Sequence, residues 1–317
     1  MINKIKSVMF GHSIGDALGV PVEFINRSIL KDNPVKDMIG FGTHKVPAGT
    51  WSDDTSMSLC ALDSLSNGMV DYDDIMNNFG EWYYHGRFTT DGNVFDIGGT
   101  CASAIDNYFY KMKSVDKCGL RDVYSNGNGS LMRIHPFVLY AHFNKMSDDE
   151  FIDMISKASS LTHAHQCSID GCIIYAYVLK TILDSYSKSK DSIYNGLVYA
   201  RSKMINRAHN YNRLFDCDIK TIEESAIKSS GYVVDTLEAA IWCVLTTDNY
   251  KDCVLKAVSL GSDTDTVAAV AGGLAGALYG IDSIPTEWMN SLKAKYYIED
   301  ICKNAYEKWE GNCNRDF

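Results

Sequence analysis

Apolar residues in this chain return at intervals of three and four almost everywhere and strictly alternate with polar ones almost nowhere, and that period lets a helix bury one side. Five prolines in 317 residues leave long stretches free to run as helix, so the fold class that follows is all-α. The first segment sharpens the constraint. Ile2, Ile5 and Met9 share a face, and Gly11, Gly15 and Gly19 then fall four apart, a stripe without side chains along which a second helix backbone can approach closely.

Helices are predicted over 54–65, 72–85, 99–112, 130–142, 149–159, 165–187, 190–205, 220–228, 232–246, 250–258, 265–279 and 297–309. Residues 25–50 carry Pro34, Pro47 and several glycines and read as a connector, and 185–192 as an exposed polar loop. No linker, fixed-period repeat or break in composition divides the chain, so residues 1–317 are expected to form a single domain.

A net charge of −10 argues against a general nucleic-acid or anionic-membrane surface, since both need a surplus of Lys and Arg. An anionic ligand would need a local pocket of backbone N–H groups or cations. The longest uncharged run, Thr266–Ile281, is 16 residues, short of a bilayer span. Ten cysteines form no C-x-x-C pair and read as buried thiols in a reducing cytoplasm; no targeting sequence is expected at the start.

Two acidic clusters share a local grammar. Ser52-Asp53-Asp54-Thr55 and Asp263-Thr264-Asp265-Thr266 each stand at a predicted helix start and offer only carboxylate and hydroxyl oxygens, the ligands hard divalent cations prefer. A single cluster reads best as a helix cap. Two together, each stacking carboxylates whose repulsion a cation would relieve, weigh capping and a shared metal site about equally.

Other segments stay open on the residues alone. Asn126-Gly127-Asn128-Gly129-Ser130 precedes a predicted helix and reads as a turn with a cap or as a cradle of N–H groups for phosphate. Arg133 is expected to pair with a buried acid rather than with phosphate. His163 and His165 read as core, surface or ligand-contacting residues, Tyr232 as a core aromatic or a ligand wall, and Asp16 as a structural partner of neighbouring backbone.

Taken in order, Gly15-Asp16-Ala17-Leu18-Gly19 with Glu23, Gly49-Thr50-Trp51-Ser52-Asp53-Asp54-Thr55, Asp96-Ile97-Gly98-Gly99-Thr100, Gly127-Asn128-Gly129-Ser130-Leu131-Met132-Arg133, Thr162-His163-Ala164-His165, Gly231-Tyr232-Val233-Val234-Asp235-Thr236-Leu237 and Gly261-Ser262-Asp263-Thr264-Asp265-Thr266 resemble the ADP-ribosylglycohydrolases. The resemblance implies a compact orthogonal multi-helix all-α fold with a binuclear Mg²⁺ or Mn²⁺ cleft. Ser52, Asp53, Asp54, Asp263, Asp265 and Thr266 would be the metal ligands, Ser52 replacing the usual Thr. Asp96, Asp54 and Glu23 would serve catalysis. Asp53, Gly98, Gly99, Thr100, Gly127, Asn128, Gly129, Ser130, His163 and Tyr232 would contact ADP-ribose, with 127–130 on its diphosphate. Gly99 stands where the family form Asp-Ile-Gly-Asn-Thr has Asn.

The implied activity is hydrolysis of an N-glycosidic bond to a modified arginine. Cleavage of serine-, nucleic-acid- or small-molecule-linked ADP-ribose, and a non-catalytic crystallin-like role, are the alternatives. The expected partners are ADP-ribose and an ADP-ribosylated protein, met by a cytoplasmic monomer.

Overall fold

The computed structural model describes residues 1–317 apart from 186, 205–208 and 314–317, and describes 311–313 by backbone alone. Among the described residues there are helices and turns and no strand, with two isolated bridges, Leu120 with His163 and Gly127 with Tyr232. The α-helices are α1 (Ile2–Gly19), α2 (Arg27–Asp32), α3 (Asp53–Leu65), α4 (Tyr72–His85), α5 (Gly99–Phe109), α6 (His135–Phe143), α7 (Asp148–Ser160), α8 (Gln166–Asp184), α9 (Asp191–Lys203), α10 (Asn212–Asp216), α11 (Val233–Leu245), α12 (Tyr250–Ser259), α13 (Thr264–Tyr279), α14 (Thr286–Ser291) and α15 (Lys295–Cys313). No helix among the described residues is long and apolar enough to cross a membrane.

The centre is the pair α1 and α13. Residues 264–276 of α13 are all buried, so this helix is apolar or small on every side and lies wrapped by others. The glycine stripe is what lets α1 lie against it. A Cβ placed on Gly11 would stand 2.4 Å from Gly272 O, one on Gly15 2.1 Å from Ala268 O, and one on Gly19 2.3 Å from the Asp265 backbone. Those separations exclude any side chain, as the spacing in the sequence predicts. Around the pair pack α3, α8, α11, α12 and α15.

Several predicted elements shift, each for a local reason. The helix expected over 130–142 begins at His135, because residues 128–133 are drawn into turns by Asn128 N–H donating to Gly231 O at 3.0 Å; Pro136 then occupies the first turn, where its missing N–H costs nothing. The helix expected over 220–228 is two 3₁₀ turns, Ile219–Thr221 and Glu224–Ala226. There the Arg27 guanidinium donates to Glu224 O and Ile227 O, both at 2.6 Å, occupying carbonyls a helix would use. Arg27 itself lies on α2, inside the span read as pure connector. The short helices α10 and α14 have no counterpart in the sequence reading. The 165–187 helix ends at Asp184, the 190–205 helix at Lys203, and position 205 lies outside the described residues.

Eight of the nine described cysteine side chains are buried as free thiols, but Cys217 is exposed just beyond α10, against expectation; Cys313 lies outside the described side chains.

Candidate metal centre and cleft

The two acidic clusters meet. Asp54 and Thr266 are 212 residues apart in sequence, yet the Thr266 hydroxyl donates to Asp54 Oδ2 at 3.3 Å. Both helix starts are gripped by the last turn of α1. The carboxylate of Asp16 accepts from Ser52 N–H at 2.9 Å, from Thr55 N–H at 3.0 Å and from the Thr55 hydroxyl at 2.6 Å, capping α3 from a different helix. On the other side the Thr264 hydroxyl donates to Gly19 O at 2.8 Å, while the Gly19 Cα faces the Asp265 backbone. Asp16 is thus the structural residue its setting in the glycine stripe suggested.

Capping accounts for only part of the acidic oxygens. Ser52 Oγ accepts from Asp54 N–H at 3.3 Å and donates to Asp54 Oδ2 at 3.1 Å, as a cap can. Asp263 occupies the cap position of α13 without capping it; its Oδ2 instead accepts from the Asn128 amide at 2.8 Å. Asp54 Oδ1, Asp263 Oδ1 and Asp265 Oδ2 are buried and accept nothing. Buried carboxylate oxygens without donors are costly, and these three come from both clusters. Ligand atoms of Asp16, Asp54 and Asp265, and of Glu23, Asp263 and Asp265, fall within 4.8 Å of each other. An all-oxygen set of this density fits hard divalent cations.

The electrostatics carry the same message. Burial, then the charges of Asp54 and Asp96, raise the Asp53 carboxyl well above the usual range. Burial, then Asp16 and Asp263, do the same to Asp54, and burial, then Glu23 and Asp54, to Asp265. Burial followed by Asp96, Asp263 and Asp54 pushes Glu23 up to about 10. Like charges crowd together with no Lys or Arg among the described residues lining the cleft.

Above this floor opens a cleft of about 310 Å³. Glu23, Asp53, Asp96, Gly98, Gly99, Thr100, Gly127, Asn128, Gly129, His163, Asp263 and Thr266 line it, so the structure gathers segments spread over 240 residues into one cavity. Ser52, Asp54 and Asp265 lie beneath its surface, fully or almost fully buried. Gly98 and Gly99 begin α5, and a Cβ on either meets nothing within 4 Å. Asp96 is delivered by backbone in the left-handed region, φ 55°.

Three expected site residues behave differently. Ser130 is fully buried and accepts from the Ser159 hydroxyl at 3.0 Å, away from the cavity lining. Asn128 spends its N–H on Gly231 and its amide on Asp263 and on Thr236 Oγ1 at 2.9 Å, so it acts on the acidic floor and offers its N–H to no phosphate. Tyr232 is 40% exposed at the cap of α11, outside the immediate lining, with its hydroxyl against Cys167 Sγ at 3.5 Å. Arg133 pairs with no acid among the described residues. Fully buried, it donates to Thr162 Oγ1 at 2.8 Å and to Ala158 O at 3.2 Å, and its guanidinium lies 4.8 Å from the Phe79 ring centre.

Arg133 nevertheless shapes the cleft through His163. Burial, and then the Arg133 charge, lower the imidazole to about 3, so it is neutral. Thr162 Oγ1 accepts from Arg133 and can pass its own hydrogen to His163 Nδ1 at 2.8 Å, which leaves the ring hydrogen on Nε2. That Nε2 lies 3.5 Å from a Cβ built on Gly127 or Gly129, facing the cavity as a donor. His165 caps α8 by accepting from Cys167 N–H.

His44, whose Nε2 contacts Glu23 Oε2, and Phe24 and Tyr124 in the lining carried no signal in the sequence, whereas Gly231, also in the lining, heads the segment Gly231–Leu237. Gly231 carried a usable signal. A side chain there would come within 3.0 Å of Asp263 Oδ2.

A family described as ADP-ribosylglycohydrolase matches residues 1–315. Over 309 residues the chain is 33% identical to ADP-ribosylarginine hydrolase Tri1 of Pseudomonas putida (strain GB-1), covering 97% of this chain and 79% of that protein. It is 30% identical over 288 residues to ADP-ribosyl-(dinitrogen reductase) glycohydrolase of Rhodospirillum rubrum, covering 90% and 88%. A solved structure described as an ADP-ribosylglycohydrolase-related protein complex superposes with TM-score 0.80 at 28% identity, over 97% of this chain and 98% of that one.

Proposed function

The chain belongs to the ADP-ribosylglycohydrolase family, and on that premise we propose that it releases ADP-ribose from a modified arginine side chain by hydrolysing the N-glycosidic bond at the ribose. The observation that carries this reading is the convergence of three unpartnered buried carboxylate oxygens, on Asp54, Asp263 and Asp265, beneath a cleft of nucleotide-compatible size. The 33% identity to a protein described as an ADP-ribosylarginine hydrolase favours arginine among the linkages.

Ser52, Asp53, Asp54, Asp263, Asp265 and Thr266 would hold two divalent cations, Mg²⁺ or Mn²⁺, which supply charge stabilisation and a water acidified enough to attack at neutral pH. The chain's own groups do the rest. Asp96, solvent-facing on the cleft wall, is the group we assign to proton transfer, taking a proton from the attacking water or guiding one to the departing nitrogen, with Asp54 and Glu23 as the other carboxylates within the site. The exposed start of α5 at Gly98, Gly99 and Thr100 and the glycines at 127 and 129 let backbone approach an anionic ligand without side-chain obstruction. His163 presents its Nε2–H to that ligand, and Tyr232 at the rim offers a ring to it. We take a monomer as the working unit, and the buried free thiols suit a reducing cytoplasm.

The test is a panel of arginine-, serine- and nucleic-acid-linked ADP-ribose substrates, assayed after chelation and again with Mg²⁺ or Mn²⁺. Release from the arginine substrate, restored by cation, is expected. Turnover of serine linkages in preference would replace the linkage, and binding of ADP-ribose with no turnover of any substrate would replace the enzyme.

A further inference from the structure

Glu23 belongs to two sets of ligand atoms at once. Inward, its carboxylate stands with Asp263 and Asp265; outward, it stands with the His44 imidazole and the Asp96 carboxylate, and in each set the atoms lie within 4.8 Å of one another. The two sets differ in kind. The inner one is all oxygen and suits hard cations. The outer one joins a borderline nitrogen donor to two carboxylates, a composition that zinc and its transition-metal neighbours occupy in preference to magnesium.

The outer set is also held ready. His44 is flanked by Phe95 at 5.0 Å and Phe24 at 6.2 Å between ring centres, with Nε2 directed at Glu23. Glu23 is 3% exposed and its ion-pair partner is His44, with no lysine or arginine among the described residues in salt-bridge contact with it. The His44 side chain retains 15% exposure, and Glu23 and Asp96 line the cleft, so the three groups are open to an ion from solvent.

We propose that Glu23, His44 and Asp96 form a second, softer metal site at the mouth of the cleft, which takes Zn²⁺ or a like transition-metal ion and, when filled, shuts the hydrolase off. The inhibition follows from shared carboxylates. An ion on this set occupies Asp96 and Glu23, two of the carboxylates the reaction needs, while the six ligands of the all-oxygen positions stay free for Mg²⁺. The binding half rests on the geometry alone, and the inhibitory half rests also on the hydrolase reading.

The protein, saturated with Mg²⁺ to fill the all-oxygen positions, is titrated with Zn²⁺ by calorimetry and with Co²⁺ by its visible absorption, for the wild type, His44→Ala and His44→Phe. One equivalent should bind the wild type. Loss of a ligand should weaken that binding by at least the roughly 100-fold seen when outer-sphere partners are lost, while Mg²⁺ titrations of the three proteins coincide and circular dichroism shows them folded. His44→Phe keeps a ring between Phe24 and Phe95, so a packing effect alone would spare it. Zinc binding equally to wild type and variants, or not at all in the presence of Mg²⁺, overturns the site. In the activity arm, each protein is normalised to its own zinc-free rate; the wild type should lose activity and the variants keep it. A wild type that binds zinc through His44 at undiminished rate overturns the inhibition and leaves the site, and a chain without hydrolase activity on any substrate fails the functional reading while the titrations still decide the site.

Discussion

The Asn128 amide donates to Asp263 Oδ2 at 2.8 Å while Asp263 Oδ1 accepts from nothing. One oxygen is anchored and the other, buried, is left without a donor, the arrangement by which outer residues orient metal ligands. Asn128→Ala should therefore weaken Mn²⁺ binding by about 10–100-fold with the fold retained. Calorimetric titration beside far-UV circular dichroism checks it, and an unchanged affinity would count against Asp263 as a ligand.

Asp53→Asn/Asp265→Asn removes two of the mutually repelling buried carboxyls. The double variant should be at least as stable as the wild type under chelation, gain no melting temperature on adding Mg²⁺, and release no ADP-ribose. Paired thermal melts with and without cation measure the first two, and a fully active double variant would sink the metal-site reading.

Stability should depend on pH with a definite sign. Burial raises Asp53, Asp54 and Asp265 above their unfolded values, and raises Asp16 to about 6 against the pull of its Thr55 and Ser52 hydrogen bonds. From about pH 4 upward the cation-free folded chain then holds more protons than the unfolded one, so these groups stabilise it at low pH and that contribution is lost as pH rises through their folded values. Cations compete with those protons and bind better at higher pH. In EDTA the melting temperature should fall between about pH 5 and 7, and the gain on adding Mg²⁺ should be larger near pH 8 than near pH 5. Equal gains at both would refute the linkage.

Gly99→Asn restores the polar residue that the family form carries at this place. The position is exposed, at the first turn of α5, and a Cβ there meets nothing within 4 Å. The variant should melt within about 1 kcal/mol of the wild type and lower KM for the ADP-ribosylated substrate. A rise in KM would mean that the bare backbone at 99 is itself what the ligand contacts.

Gly15→Ala places a methyl 2.1 Å from Ala268 O, which is backbone and cannot rotate aside. Overpacking of this kind costs about 1–3 kcal/mol, and the urea midpoint should drop accordingly with unchanged m. A midpoint equal to the wild type would show that α1 and α13 can part without cost.

Much of this site was legible because its grammar is local. The hydroxyl and carboxylate pattern of Ser52–Thr55 and Asp263–Thr266 marks two all-oxygen clusters, and the Gly11, Gly15 and Gly19 spacing marks the helix contact that brings them together. What the residues alone left as an even choice between caps and a metal site is the encounter of Thr266 with Asp54, which depends on packing across 212 positions. His44 carried no signal, since a lone histidine in a loop with Pro47 gains meaning only when the fold lays it on Glu23. Arg27 dissolved a predicted helix by taking its carbonyls, and Arg133 found a hydroxyl, a carbonyl and a ring where an acid was expected. Long-range partners of buried cations are set by the whole packing, and no local pattern encodes them.

That the last turn of α1 grips α3 through Asp16 and α13 through Gly19 also fixes when the site can exist during synthesis. Asp53 and Asp54 leave the ribosome more than 200 residues before Asp265, a wait of roughly 10 to 40 s at ordinary elongation rates. Through that interval α1 has no helix to receive its glycine face, and the first acidic cluster has no counterpart. Cation capture at the proposed site therefore waits for α13, and nascent copies that end before it carry the first acidic cluster without its counterpart.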